Sequence, residues 1–355
     1  MKFLLWILLI FLLVVRFYIS RPIYKEGDRI RITSTVLSEP IKYETSQYFS
    51  LEGLKIYLDP YPEIFYGDRV VVEGTVDLTK KILKNPRLIK KEKSDNLLFS
   101  FRQSIISFYQ KSLSEPHASL VAGMTLGSKS SIPEDFWRQL KNTGTAHVIV
   151  ASGMNVSLVA SFLMAILLLF IPRVKAVFLA LVGIWLYAAV SGFEAPIIRA
   201  AIMGSIAFSA VAIGRLNFAL RALFVSAYIM LLVNPDWIQD LGFILSFAAT
   251  ASLIVFEKRV RSLVSFAPSV IKEDLSTTLA AQVGVFPILY YTFGYYNILS
   301  PLINALILWT VPIITIVGMI AGFAGLIFEP LGKALLFLIY PLTSWFIFII
   351  RTFGG

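Results

Sequence analysis

The chain has 355 residues, of which 57% are hydrophobic, 14% aromatic and 15% charged. Soluble domains have about 45–50% apolar and about 25% charged residues, so this composition excludes an ordinary soluble globular protein and indicates a polytopic membrane protein. The formal charge of +10 fits a polyanionic partner but equally fits the basic cytoplasmic loops of membrane proteins, and the absence of Cys excludes disulfide and thiolate chemistry.

Residues 1–20 contain an apolar run at 3–15, with Lys2 before it and Arg16 after it. The run reaches the roughly 20 residues of a membrane span only if residues 17–19 are included. A signal peptide is the alternative, but no small-x-small cleavage site follows the run. We therefore expect an uncleaved membrane anchor.

Residues 21–95 carry 14 Lys/Arg and 12 Asp/Glu, which indicates a water-exposed domain. Apolar and polar residues alternate along it, as they do in half-buried strands. Strands are predicted at 29–36, 43–51, 54–58, 69–76 and 87–91. Five short strands in about 70 residues predict a small all-β domain of the barrel type.

A basic run lies near the end of this domain and includes Lys80, Lys81, Lys84, Arg87, Lys90 and Lys91. Together with the Tyr and Phe residues at 43–66, it forms a pattern that binds single-stranded nucleic acid through phosphates and stacked bases. The alternative is a solvated hairpin over a core that contains most of the aromatic rings. The nearly balanced charge of the domain weakens the case for DNA binding.

Residues 96–146 are predicted to form amphipathic helices. Apolar residues between 97 and 108 recur at helical spacing among Arg102, Gln103 and other polar residues. Residues 134–141 begin with acidic side chains and end with basic ones, as the helix dipole favours. These helices either line a vestibule or lie in the membrane interface.

The segment 142–160 (NTGTAHVIVASGMNVSLVA) places polar side chains inside an otherwise apolar run. On one α-helix, Gly144, His147, Ser152 and Asn155 fall within an arc of roughly 140°. Polar groups cost free energy in hydrocarbon, so this face is predicted to line the bundle interior or a wet cavity, together with Gly153. For His147, a hydrogen-bonded structural histidine is the alternative.

Eight apolar segments follow Ala146, at 147–171, 176–191, 196–213, 218–233, 238–256, 277–292, 301–327 and 334–350. Basic loops near 173–175, 215–221 and 258–261 alternate with charge-poor loops, and the positive-inside rule places the basic loops in the cytoplasm. The β domain is then extracytoplasmic. The basic residues between 16 and 29 argue for the opposite orientation of the anchor.

Polar residues within apolar segments are candidates for function by default, and Arg199, Asp240 and Gln282 join the predicted path on this ground. Each has a structural alternative. Glu194 and Arg199 can form a helix cap and a local ion pair, and Asp240 can cap a helix. Gln282, like Asn304, can hydrogen-bond a neighbouring helix.

Five blocks of sequence, in order, resemble the competence domain of the ComEC family, bacterial membrane proteins associated with DNA uptake. They are 118–129 (ASLVAGMTLGSK), 142–160, 192–203 (GFEAPIIRAAIM), 240–249 (DLGFILSFAA) and 281–294 (AQVGVFPILYYTFG). The resemblance implies a transmembrane competence domain over residues 147–355. It also implies that the preceding β domain has an OB-like fold.

The chain departs from the family pattern at two positions, since many relatives have His where it has Asn155 and Gln where it has Ile244. These departures indicate a pore-lining or structural role at both positions. Full-length relatives often continue into a metallo-β-lactamase-like domain associated with nuclease activity. This chain ends after an apolar segment and contains only His117 and His147, so we expect no nuclease, metal or cofactor in it.

The sequence thus predicts an all-α polytopic membrane bundle with a small N-terminal extracytoplasmic all-β, OB-like domain, acting as a channel for single-stranded DNA in natural transformation. The expected partners are single-stranded DNA, the lipid bilayer and, as separate proteins, a DNA receptor, a nuclease and a cytoplasmic motor. A small-solute permease is one alternative. An intramembrane serine hydrolase is another, but Ser152 would need a base, and His147 lies about 140° away around the same helix.

Overall fold

The computed structural model describes residues 2–20, 24–37, 39–43, 45–94, 96–129, 132–149, 153–212, 219–265, 269–293, 297 and 299–355. These residues form an N-terminal β domain and a bundle of helices, which confirms the predicted fold class. A helix, α1 (Lys2–Ile19), precedes the β domain at the position predicted for the anchor.

The described part of the β domain is one sheet of six strands: β1 (Arg29–Thr35), β2 (Ile41–Lys42), β3 (Gln47–Leu51), β4 (Leu54–Leu58), β5 (Arg69–Asp77) and β6 (Ile82–Glu92). Their order across the sheet is β1-β5-β6-β4-β3-β2. Neighbouring strands are antiparallel, except that β4 and β6 are parallel. Alternate side chains fill a single core in which Phe49, Ile56 and Val70 are completely buried.

The last strand is longer than predicted. This strand was predicted at 87–91, whereas β6 runs from Ile82 to Glu92 and includes a proline, which cannot donate to a ladder. The β5–β6 ladder has a register shift here, and Asn85 and Pro86 lie in the resulting bulge, outside the paired positions. A bulge removes the need for a ladder N–H, so one strand continues through the proline.

In the described part of the chain, the β domain is followed by α2 (Leu97–Ser112), α3 (His117–Leu126), α4 (Glu134–Asn142), α5 (Ala146–Ile149), α6 (Gly153–Leu167), α7 (Arg173–Val190), α8 (Ala195–Ala212), α9 (Ala219–Val233), α10 (Leu241–Leu263), α11 (Ser269–Phe293), α12 (Ser300–Ile307), α13 (Thr310–Ile327) and α14 (Glu329–Gly354). By length and composition, five apolar segments are candidates to cross a bilayer: Ala146–Leu167, which includes residues outside the described part of the chain, and the helices Arg173–Val190, Leu241–Leu263, Thr310–Ile327 and Glu329–Gly354. The protein is therefore a multi-pass helical membrane protein.

The predicted segment 301–327 is two helices, α12 and α13, rather than one. The break falls at Leu308 and Trp309. Pro312 then lies in the first turn of α13, where the missing N–H leaves no intrahelical bond unmade. A continuous helix would have placed this proline in its interior, where it breaks the hydrogen-bond ladder.

Helix α3 lies inside the bundle rather than in the membrane interface. Its residues 118–126 are all buried, as its all-round apolar surface requires. It packs against α13 at Gly318, where an added Cβ would lie 2.9 Å from Thr125 Cγ2. The sequence had left open whether this region lines a vestibule or lies in the interface, and for α3 neither holds.

The β domain lies at one end of the bundle. It touches the turn between α7 and α8, where a Cβ on Gly192 would lie 3.4 Å from the Tyr66 ring. It also touches the 3-10 helix between α9 and α10, where Lys81 Nζ donates to Gln239 Oε1 at 2.6 Å. Because α7 and α10 run away from these turns for 18 and 23 residues, the basic residues near Arg173 and Arg261 lie at the opposite end.

Candidate functional site

A buried ion pair between Arg102 of α2 and Glu39 joins the β domain to the bundle. Arg102 Nη2 lies 2.7 Å from Glu39 Oε2, and the two side chains are only 3% and 7% exposed. Arg102 Nη1 donates to the carbonyl oxygens of Leu126 and Val190, at 2.5 and 2.7 Å. Glu39 Oε1 accepts from Ser128 Oγ at 2.8 Å. One guanidinium therefore ties the β domain to α2, α3 and α7.

Tyr66 covers this ion pair from the side of the β domain. Its ring centre lies 5.1 Å from the guanidinium carbon of Arg102, and the ring packs edge-on against Phe99. Burial raises the pKa of Tyr66 to about 12, although the Arg102 charge acts to lower it. The Tyr66 ring thus keeps water away from the ion pair.

Arg199 lies where α8 crosses α10 and the start of α6. Its Nε donates to Ser246 Oγ at 2.6 Å, and its guanidinium carbon lies 6.0 Å from the centre of the Phe247 ring. A Cβ on Gly153 would lie 2.8 Å from Arg199 Nη2, so the absence of a side chain at Gly153 gives the guanidinium its place against α6. Within the described residues, Arg199 makes no ion pair with a carboxylate.

Glu194 pairs with a residue other than Arg199. Its Oε1 lies 2.7 Å from Lys129 Nζ, and both side chains are largely buried. Its carbonyl oxygen accepts the first hydrogen bonds of α8, from the N–H groups of Ile197 and Ile198. Glu194 therefore lies at the start of α8, but its carboxylate pairs with Lys129, and the local ion pair with Arg199 is not formed.

Asn155 on α6 is completely buried. Its Nδ2 donates to the carbonyl oxygen of Met124 at 2.7 Å, which links α6 to α3. Tyr187 of α7 lies beside both Asn155 and Ser191. In the described residues, Asn155 Oδ1, Tyr187 Oη and Ser191 Oγ have no hydrogen-bond partner. Three polar side chains therefore meet inside the bundle.

The five sequence blocks form a continuous series of contacts. The contacts above join α3 to α6, α6 to α8 and α8 to α10. The fourth link joins α10 to α11, where a Cβ on Gly284 would lie 2.8 Å from the carbonyl oxygen of Ala248. Gln282, on the same helix α11, is half-buried.

Gly144 does not share a helical face with Asn155, and His147 lies on the short helix α5 before α6. Gly144 has a φ of +72° and is not helical, and a Cβ on it would lie 2.6 Å from Ser300 Oγ. The exposed His147 side chain places Nδ1 3.0 Å from the carbonyl oxygen of Gly144. Ser152 lies outside the described residues. The predicted stripe therefore does not include Gly144 on the same helix, and the residues that would join His147 to Asn155 lie outside the described part of the chain.

Asp240 caps α10. Its Oδ1 accepts from the backbone N–H of Phe243 at 2.7 Å, and its backbone is extended. This is the helix-cap alternative considered for Asp240. The described residues contain no group of three or more His, Asp or Glu side chains that could hold a metal ion, at Asp240 or elsewhere.

Most of the predicted basic run is engaged by neighbouring side chains. Four of its lysines have partners: Lys81 with Gln239, Lys84 with Asp77, Lys90 with Glu92 and Lys91 with Asp68. Hydrogen bonding to Lys84 holds the pKa of the Asp77 carboxyl below its ordinary value. Lys80 and Arg87 are exposed and form no ion pair with the described residues. They are the cations of the run most available to a polyanion.

Arg102 is the site residue that the sequence reasoning missed. It was grouped with the polar residues of α2. Its position three and four residues before Ile105 and Ile106, and seven before Tyr109, places it on the buried face of the helix. A charge at that spacing is a signal for a buried partner.

A family model described as competence protein matches residues 124–355. ComE operon protein 3 of Bacillus subtilis (strain 168) is 28% identical over 226 residues, which cover 63% of this chain and 29% of that relative. The chain thus spans less than a third of the relative's length, and no solved structure matches it. Because the family model covers well over half of the chain, this protein belongs to the competence protein family, as its resemblance to ComEC proteins predicted.

Proposed function

We propose that this protein conducts single-stranded DNA inward across the cytoplasmic membrane during natural transformation. Membership of the competence protein family supports a role in DNA uptake. The observation that carries the proposal is Arg199, a permanent cation within an apolar helix that has no carboxylate partner in the described residues. A guanidinium placed in this way requires water or an anion, and DNA phosphates supply anions.

The proposed path follows the contacts among α6, α8, α10 and α11. It is lined by Gly144, His147, Ser152, Gly153, Asn155, Arg199, Asp240 and Gln282. Asn155 is completely buried and hydrogen-bonded to α3. In this conformation the path is therefore closed at α6, and conduction requires α6 to move away from α3.

The proposed orientation places the β domain outside the cell. The basic residues near Arg173 and Arg261 lie at the opposite end of the bundle from the β domain, and basic loops face the cytoplasm as a rule. We propose the domain boundaries 1–20 for the anchor, 21–95 for an OB-like domain, 96–146 for the connecting helices and 147–355 for the competence domain. The contact of Lys81 with Gln239 supports a β domain that lies over the outer end of the bundle.

We further propose that the exposed cations of β6 and its turn gather the strand. Lys80 and Arg87 contribute most, because the other lysines of the run are engaged. Neutralising both with Gln should reduce the slope of log affinity for single strands against log salt by about 1.4, since each phosphate contact contributes about 0.7. An unchanged slope would remove DNA binding from this surface.

The test of the channel is Arg199→Gln, expressed in the natural host in place of the normal protein. We expect uptake of labelled DNA to be lost while surface-bound DNA and protein abundance stay normal, and Arg199→Lys to retain part of the uptake because it keeps the charge. Arg261→Gln is the matched control, since Arg261 is an exposed arginine paired within its own helix with Glu257. It should leave uptake unchanged.

Glu194→Gln provides a second discrimination. Since Glu194 pairs with Lys129, adding this change to Arg199→Gln should not restore uptake. Restoration in the double variant would show that Arg199 serves to balance Glu194. Normal uptake by the single Arg199→Gln variant would also overturn the proposed path.

A further inference from the structure

A cavity of about 400 Å³ opens between the C-terminal end of α6, the start of α7 and the second half of α8. The described residues that line it are Met164, Leu168, Arg173, Ala207 and Phe208. Four of these residues are apolar and the fifth is a cation. The cavity lies at the end of the bundle opposite the β domain, where Arg173 begins α7.

The turn beside this cavity mixes exposed apolar side chains with cations. Leu169, Phe170 and Val174 are 76%, 79% and 71% exposed, and the cations Arg173 and Lys175 lie on either side of Val174. Large apolar side chains next to basic ones are typical of a segment at the level of the lipid headgroups. The cavity therefore opens at the boundary between acyl chains and headgroups.

The start of α7 is also electrostatically suited to an anion. Pro172 precedes the helix, and no side chain caps its N-terminal N–H groups. The first turn contains no acidic residue, and it carries two cations at the end of the helix where the dipole favours negative charge. An anion between the helix terminus and Arg173 would satisfy both sets of groups.

We propose that this cavity binds a phospholipid with an anionic headgroup. Its phosphate lies on Arg173, and an acyl chain follows the apolar wall formed by Met164, Leu168 and Phe208. The apolar lining selects a diacyl lipid over a free phosphate ion, and the arginine selects an anionic headgroup over a zwitterionic one. Such a lipid bridges α6, α7 and α8. Its binding does not depend on whether the protein transports DNA.

The experiment uses the purified full chain in detergent and native mass spectrometry to count retained lipids. Phosphatidylglycerol, phosphatidylcholine with the same acyl chains, and inorganic phosphate are added separately. We expect one retained phosphatidylglycerol, several-fold weaker retention of phosphatidylcholine, and none of phosphate. Equal retention of the two lipids by the wild-type protein overturns the proposal without any variant, and retention of phosphate alone assigns the site to a free anion instead.

Variants locate the site. Arg173→Gln should weaken phosphatidylglycerol retention about fivefold, the effect of one basic residue near a membrane surface. Arg261→Gln is the matched control, because it removes an exposed cation at the same end of the bundle that does not line the cavity, and it should change retention less than twofold. Ala207→Phe should fill the cavity and displace both lipids. Unchanged retention in Arg173→Gln or in Ala207→Phe would place the lipid elsewhere.

Discussion

Replacing Arg102 by Met should release the β domain from the bundle. The change leaves Glu39 charged and buried, because the ion pair of these residues is only 3% and 7% exposed. Breaking a buried pair by removing one partner costs about 3–5 kcal/mol. At about 1.4 kcal/mol per factor of ten, the undocked fraction should rise roughly 10²- to 10⁴-fold.

The chain contains no Cys, which makes the undocked fraction measurable with a single introduced thiol. Ser128 lies in the docking site, is 2% exposed and donates to Glu39, so a Ser128→Cys variant should react with a maleimide only after undocking. The rate of labelling then reports the opening equilibrium. It is measured in otherwise wild-type protein and together with Arg102→Met.

An exposed ion pair of the β domain supplies the control. Arg29 and Glu73 pair at 2.7 Å, but their side chains are 73% and 29% exposed. Such a pair contributes at most about 1 kcal/mol, so Arg29→Met should raise the labelling rate by less than about fivefold. If Arg102→Met gives no larger increase than Arg29→Met, the buried pair does not hold the β domain. Adding Glu39→Leu to Arg102→Met should restore docking in part, because no unpaired charge remains.

Two further predictions concern packing and pH. Gly284→Ala brings a Cβ within 2.8 Å of the carbonyl oxygen of Ala248 and should lower the free energy of unfolding by about 1–3 kcal/mol. Gly204→Ala is the control, because its Cβ has no contact nearer than 3.9 Å, and it should not lower this free energy. Similar unfolding midpoints for the two variants in detergent would contradict this packing. Because the pKa of Asp77 is lowered and that of Lys84 raised, their pair stabilises the protein above the ordinary carboxyl pKa of 3.8 and below the ordinary ammonium pKa of 10.5. The stability lost in Asp77→Asn should therefore shrink as the pH falls below about 4 or rises above about 10.5, and a pH-independent difference would argue against the pair.

The β domain was largely predictable because strand alternation is a local signal. The predicted strand 54–58 is the observed β4, and the start of the predicted strand 29–36 is the start of β1. The short β2 escaped because two residues show no alternation. Pairing of β4 with β6 could not be predicted, since it depends on contacts distant in sequence.

The apolar helices were predictable in approximate extent, except for the break between α12 and α13, but the neighbours that each helix packs against were not. Hydropathy predicts that a residue is shielded from water, but it does not predict which helix the residue contacts. Helices α10 and α11 pack closely at Gly284 because glycine has no side chain. A glycine within an apolar run does not indicate which helix it contacts. The burial of α3 was hidden because a short helix that is apolar all round shows no periodic face.

The separation of Glu194 from Arg199 shows why spacing alone could not decide between the ion pair and the path as the role of Arg199. Five residues on a helix place two side chains about 140° apart, so an ion pair within α8 required a bend at the helix start. Glu194 instead precedes α8, with its carbonyl oxygen accepting the first helical hydrogen bonds and its carboxylate on Lys129 of the neighbouring block. Arg199 therefore lies inside the bundle and donates a hydrogen bond to a neutral hydroxyl, that of Ser246, while its contact with Gly153 fixes its position. A guanidinium held by neutral groups keeps its charge available to a phosphate, whereas one paired with a carboxylate would first have to give up that partner.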